Sequence, residues 1–194
     1  EMERLAAMAA TVGDYDGGAG TDAADSMSAA EPVLTILDFA GQRMYYQMHH
    51  VFITNSLSIY VAVFNLAHDP EEALGGEDAE CGATRLENLH FWLNSIHAQA
   101  PDAPIFVVGT HRESVDAVTL NERTSQIEQS FDGQAFDGQL CANSEIVCVD
   151  NKCDGDALFE KLRTLLAAET KAILAQFNIE IGGAFKPHLA QRIC

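Results

Sequence analysis

Three short polar clusters in this sequence each follow an apolar run. "DFAGQ", Asp38 to Gln42, follows Val33, Leu34, Ile36 and Leu37; "THRE", Thr110 to Glu113, follows "PIFVVG"; "DNK", Asp150 to Lys152, follows "SEIVCV". Each apolar run reads as a buried strand. The first stops at a carboxylate, followed by a small residue, a glycine and an amide. In an open α/β sheet, ligands sit at the carboxyl ends of the strands. If the three strands are parallel, their polar ends line one edge, which is a ligand edge by geometry alone.

The elements that must position these clusters follow from periodicity. Strands are expected over 33–38, 56–66, 104–110 and 144–150. The second, "SLSIYVAVFNL", is β-branched, aromatic and continuous. A helix is expected over 86–98, where Leu86, Leu89, Leu93 and Ile96 recur at three and four residues, and Pro101 and Pro104 stop it. Further helices are expected over 120–131 and 156–177, the latter with a stripe of Leu158, Leu162, Leu165, Leu166, Ile173 and Phe177, and around Tyr45 to Phe52. Residues 67–83 read as an acidic loop and 13–31, rich in Gly, Ala, Asp and Ser, as a flexible one. Strands alternating with helices imply an α/β fold, a mostly parallel sheet with helices on both faces.

Composition narrows the function. The 194 residues carry 11 Lys+Arg against 29 Asp+Glu, a net charge of −18. Nucleic-acid binding needs the opposite sign, so no nucleic-acid partner is expected, and an anionic membrane surface would repel the chain. There is no run of 18 apolar residues, so no membrane span is expected. The five cysteines are scattered without a CxxC, which fits reduced structural thiols and a cytoplasmic protein. His49 and His50 are adjacent and cannot chelate from one helix face. His90 and His97 read as interface or core-edge residues, Trp92 as core, and Arg43 as a surface arginine.

"DFAGQ" resembles the Asp-x-x-Gly-Gln element of Ras-like GTPases. The longer pattern, "ILDFAGQRMYY", "VFIT", "SIYVAVFNL", then "WLNSIHAQAPDAPIFVVGTHRE", resembles the Roc domain of the Roco proteins. The resemblance runs from about Thr11 to Phe177 and implies a Ras-like P-loop GTPase fold that hydrolyses GTP with Mg2+. It also implies roles. Thr11, in "ATVGDYD", would ligate Mg2+, and Asp38 would meet the ion through water. Gly41 would offer its N–H to the γ-phosphate, and Gln42 would orient the attacking water. Thr110, His111 and Glu113 would form the guanine reader, and Asp150, Asn151 and Lys152 the last guanine element, where a backbone N–H meets the base oxygen. "IGGAFKPH" resembles the start of the COR domain that follows Roc.

The sequence departs from that pattern in places. No GxxxxGK[ST] phosphate loop occurs, and Glu113 stands where the family has Asp. The expected organisation is therefore a Ras-like domain with its first strand and phosphate loop missing. Residues 1–10 are read as the end of the first helix or a linker, 11–178 as the Roc-like domain, and 179–194 as the start of a linker to a COR-like domain. In Ras-like folds the strand before the phosphate loop lies between the Asp38 strand and the 56–66 strand, so the sheet is expected to lack the strand between them. The partners implied are GTP/GDP, the COR-like domain and, as a candidate, a homodimer. The alternative is a pseudo-GTPase that kept the scaffold as an interaction or dimerisation module.

Overall fold

A computed structural model describes residues 4–11, 33–40, 53–54, 57–75, 82–141, 145–150, 152–153 and 155–176. The described residues form five strands, β1 (Arg4–Thr11), β2 (Val33–Ala40), β3 (Ser58–Asn65), β4 (Ile105–Thr110) and β5 (Val147–Cys148). They also form three α-helices, α1 (Arg85–Gln99), α2 (Ala117–Phe131) and α3 (Ala157–Gln176). The sheet order is β2-β1-β3-β4-β5. β1 is antiparallel to both of its neighbours, so β2 and β3 point the same way, and β4 and β5 run parallel to β3. Four of the five strands thus share one direction. The elements expected around 45–52 and 13–31 lie outside the described residues.

β1 corrects the sequence reading. Residues 4–11 form a strand rather than a helix end or linker, and they occupy the lane between β2 and β3 that was expected to be vacant. The register runs from Arg4 opposite Ala40 to Thr11 opposite Val33 on one side, and from Arg4 opposite Val63 to Ala9 opposite Ser58 on the other. The physical reason is hydrogen bonding. A buried strand with unpaired N–H and C=O groups is costly; this segment pairs the open side of the buried β3 and joins β2, most of whose described side chains are exposed or half-buried, to the sheet.

Side chains of β3 and β4 alternate between two cores. Tyr60, Ala62, Phe64, Ile105 and Val107 join Leu89, Leu93 and Ile96 of α1 and Ile127 and Phe131 of α2. Ile59, Val61, Phe106 and Val108 join Leu162, Leu166 and Ile173 of α3. The helices therefore cover both faces, which is why these strands are apolar without a polar side. Each fully buried Leu, Ile or Phe contributes about 1.5–3 kcal/mol of burial. Helix starts are fixed locally. Thr84 and Glu87 close a reciprocal capping box on α1, and Asp116 accepts the Val118 and Thr119 N–H groups on α2.

The two histidines of α1 face the end of α2 and the segment that follows it. His90 Nε2 lies 2.8 Å from Ser130 Oγ. Ser130 donates its own proton to the Ile127 carbonyl, so His90 donates here through a protonated Nε2. Its ring meets Phe136 edge-on at 5.7 Å, and burial pushes its pKa below the usual value. His97 Nδ1 lies 2.6 Å from Gln139 Oε1, while Gln139 Nε2 donates to the Ala100 and Ala103 carbonyls.

Gly109 in β4 has no room for a side chain. A Cβ there would lie 2.7 Å from Leu66 Cδ1 and 2.9 Å from Cγ, and Leu66 is completely buried. Gly109→Ala is expected to destabilise by about 1–3 kcal/mol through overpacking, with Leu66→Val recovering part of the loss; equilibrium denaturation of the single and double variants measures both. The lowered His90 pKa gives a second expectation. The unfolded chain takes up the proton first as pH falls through about 6.5, so the stability contributed by neutral His90 is present above that pH and erodes as pH falls below it. His90→Gln should flatten that pH dependence in denaturation midpoints, and an unchanged slope would remove His90 as its source.

Candidate nucleotide-binding edge

β2, β3, β4 and β5 all point their carboxyl ends at one edge. At the β4 end, Thr110 is buried, and its hydroxyl donates to the Phe64 carbonyl at 3.1 Å. Its carbonyl accepts the Leu66 N–H, and its Oγ1 also lies 3.1 Å from His111 Nδ1. His111 then takes a left-handed backbone, φ 60, one of two non-glycine residues to do so among the described residues. That reversal starts the short 3-10 turn Arg112–Ser114. The Arg112 N–H reaches the Val149 carbonyl at 3.4 Å, and the Val149 N–H donates to Gly109. The ends of β4 and β5 are thereby laced together.

The loop after β5 is folded on itself. The Asp150 carboxylate accepts the Lys152 N–H at 2.9 Å, while the Asp150 N–H donates to Asp156 Oδ2 at 2.8 Å. Two of the three amides at 150–152 are therefore used inside the loop. The reading that a backbone N–H here meets a base oxygen falls to Asn151, which lies outside the described residues. Across the gap, Lys152 Nζ lies 3.4 Å from Glu113 Oε1, with the lysine three-quarters exposed. Thr110, His111, Glu113, Asp150 and Lys152 thus meet at one corner.

The other half of the edge is different. Asp38 is exposed near the end of β2, opposite Ala6. Thr11 lies opposite Val33, five residues back along the ladder, about 17 Å away at 3.3 Å per residue. It sits at the amino ends of the parallel strands, the far edge of the sheet. The structure does not bring Thr11 to Asp38, so this pair does not fit a shared Mg2+ in this arrangement. Among the described residues, no group of three or more His, Cys, Asp or Glu is arranged to hold a metal ion. Gly41 and Gln42 lie outside the described residues.

Sequence reading passed over Asp156, taking it as part of the last helix. It precedes that helix, is buried, and accepts from Arg112, Asp150 and Leu158. An Asp directly before an apolar stripe is a helix-start signal and could have found it; nothing in sequence points to its link with Arg112. Burial, with Glu169 next, pushes the Cys141 pKa up to about 12, and burial, with Glu128 next, pushes Cys148 up to about 11.

A family model described as "Ras of Complex, Roc, domain of DAPkinase" matches residues 11–113, just over half of the 194 residues. The chain belongs to the Roc family. It is 34% identical over 98 residues to the probable serine/threonine-protein kinase pats1 of Dictyostelium discoideum, covering 50% of this chain and 3% of that protein. Over 103 residues it is 31% identical to the probable serine/threonine-protein kinase roco6 of the same organism, 53% of this chain and 4% of that one. Leucine-rich repeat serine/threonine-protein kinase 1 of Mus musculus is 33% identical over 105 residues, 54% of this chain and 4% of that protein. The chain thus spans a few per cent of these relatives. The fold agrees with the match: a Ras-like α/β domain with helices on both faces of the sheet. The matched residues contain Asp38, Thr110, His111 and Glu113; Asp150 and Lys152 lie beyond them and meet Glu113 through the fold.

The Thr110 hydroxyl ties β4 to β3 beneath this corner. Thr110→Val keeps the shape and leaves a buried bond unmade, so a loss of about 1–2 kcal/mol is expected, while Thr110→Ser should lose less. Denaturation midpoints of the two variants check the ranking; equal losses would mean that the methyl group matters and the hydroxyl does not.

Proposed function

We propose that this chain is the guanine-nucleotide-binding part of a cytoplasmic Roco-type signalling protein, hydrolysing GTP when a phosphate-binding loop accompanies it. The observation that carries this reading is the meeting of the Thr110–Glu113 turn with the Asp150–Lys152 loop at one corner of the parallel sheet. Guanine offers adjacent N–H donors on its edge, which a carboxylate can accept together. Glu113 is the carboxylate of this corner, and the Lys152 ammonium beside it supplies a counter-charge. The Glu113 side chain is one methylene longer than the family's Asp, which moves its oxygens relative to such an edge.

In the hydrolytic step of this reading, water attacks the γ-phosphorus and the bond to the bridging oxygen breaks, leaving GDP and phosphate. Gln42 would orient that water and the Gly41 N–H would meet a γ-phosphate oxygen. Mg2+, when bound, would offset phosphate charge. With Thr11 and Asp38 at opposite edges of the sheet, no step here runs through it.

A second reading is favoured by two observations. β1 fills the lane beside β2 in the antiparallel sense, and the Glu113 carboxylate is already engaged by Lys152. On this reading the chain is a pseudo-GTPase, an interaction module whose partners are a COR-like domain of the parent chain or a second copy of itself.

Isothermal titration separates the two. Residues 1–194 are expected to bind GTP–Mg2+ no tighter than about 10⁻⁴ M, because no phosphate loop is present in them. A longer chain carrying a GxxxxGK[ST] loop ahead of Glu1 should bind far more tightly. In it, Gln42→Leu should slow single-turnover hydrolysis without weakening binding, and Glu113→Asp should raise the preference for GTP over ATP. A longer chain that still fails to bind would support the interaction module instead.

A further inference from the structure

Arg112 and Glu113, neighbours in the turn after β4, both reach across to the loop after β5. Glu113 meets Lys152 at 3.4 Å and Arg112 meets Asp156 at 3.1 Å. The two pairs differ in kind. The Lys152 side chain is 75% exposed, and such pairs are weak and screened. The Asp156 side chain is 5% exposed, and a carboxylate removed from water must be met by donors.

Its donors come from three places. Asp156 Oδ1 accepts from Arg112 Nη2 at 3.1 Å and from the Leu158 N–H at 3.2 Å. Oδ2 accepts the Asp150 N–H at 2.8 Å, and the Asp156 carbonyl accepts the Glu160 N–H. A helix cap needs only the Leu158 and Glu160 bonds. The other two leave the helix and hold the two loops that carry the corner residues. The Arg112 guanidinium is a rigid fork, so fixing its head group constrains the backbone of the turn behind it, and Glu113 is the next residue on that backbone. On the other side, the Asp150 amide is held while the Asp150 carboxylate holds Lys152.

We propose that Asp156 is the positioning residue of the base-reading edge. Through Arg112 and Asp150 together, it sets the separation of Glu113 from Lys152. This rests on the reading of that corner as a guanine site.

The test separates cap from latch. Asp156→Asn keeps a good cap and an acceptor for Asp150, but removes the charge that holds Arg112. In ¹⁵N-labelled protein, the amide resonances of 111–114 and of 150–153 should all move. In titrations followed by the same spectra, the preference for GMP over AMP should fall by about fivefold or more, the scale of one hydrogen-bonded contact. Arg112→Gln should reproduce both changes, and the double variant should be no worse than either single one. If Asp156→Asn does not fold, Arg112→Gln, whose side chain is partly exposed, carries the test. Shifts confined to 156–160, or single-variant effects that simply add, would overturn the proposal. The resonance changes need no nucleotide, so they decide the latch even where wild-type protein prefers neither GMP nor AMP; that outcome would count against the guanine reading alone.

Discussion

The centre of this sheet obeys one constraint: a strand buried on both faces must find backbone partners on both sides. β3 is buried almost throughout its length and takes β4 on one side in parallel register. On the other side it takes β1, which turns its second row of hydrogen-bonding groups to β2. β1 is four-eighths alanine, a residue depleted in strands. Its presence there reflects the pairing obligation of its neighbours more than its own preference.

Strand direction then decides which part of the ligand edge is assembled. β4 and β5 run with β3, so their following turns meet, and the base-side corner is laced by backbone bonds, a Thr hydroxyl and two ion pairs. β1 runs the other way. Its amino end, Arg4 opposite Ala40, lies level with the ligand edge, and its carboxyl end, Thr11, lies at the opposite one. A strand running with β2 and β3 in that lane would deliver the residues that follow it to the ligand edge. An antiparallel strand cannot do so, whatever its sequence. The corner proposed to read the base is therefore assembled by the parallel strands, and Thr11 is not delivered to the same edge.

This division also explains what could be read in advance. β3, β4 and α1 were legible because burial on both faces of a sheet, or on one stripe of a helix, writes itself as continuous or periodic apolar residues. The corner residues Thr110, Glu113, Asp150 and Lys152 were legible because they end such runs. β5 is shorter than its apolar run, two residues, since only Val147 and Cys148 pair with β4. β1 was not legible: "RLAAMAAT" carries neither alternation nor β-branched weight, and its role comes from distant edges that no local pattern encodes. The Asp156–Arg112 link was hidden for the same reason, being a contact across 44 residues.

The left-handed turn at His111 shows how these links combine. A non-glycine residue there costs about 1–2 kcal/mol, and such strain persists only where surrounding contacts over-determine it. Here they do. The Thr110 hydroxyl is bonded to Phe64, the His111 carbonyl accepts the Ser114 N–H, and Arg112 is held both at its amide by Val149 and at its head group by Asp156. The reversal is what turns two consecutive side chains, Arg112 and Glu113, toward the loop after β5. A relaxed, right-handed residue at 111 would redirect both and break the two ion pairs together. The strained turn and the buried carboxylate are therefore one device: Asp156 holds the turn that His111 alone would not keep, and the turn aims Glu113 at the corner.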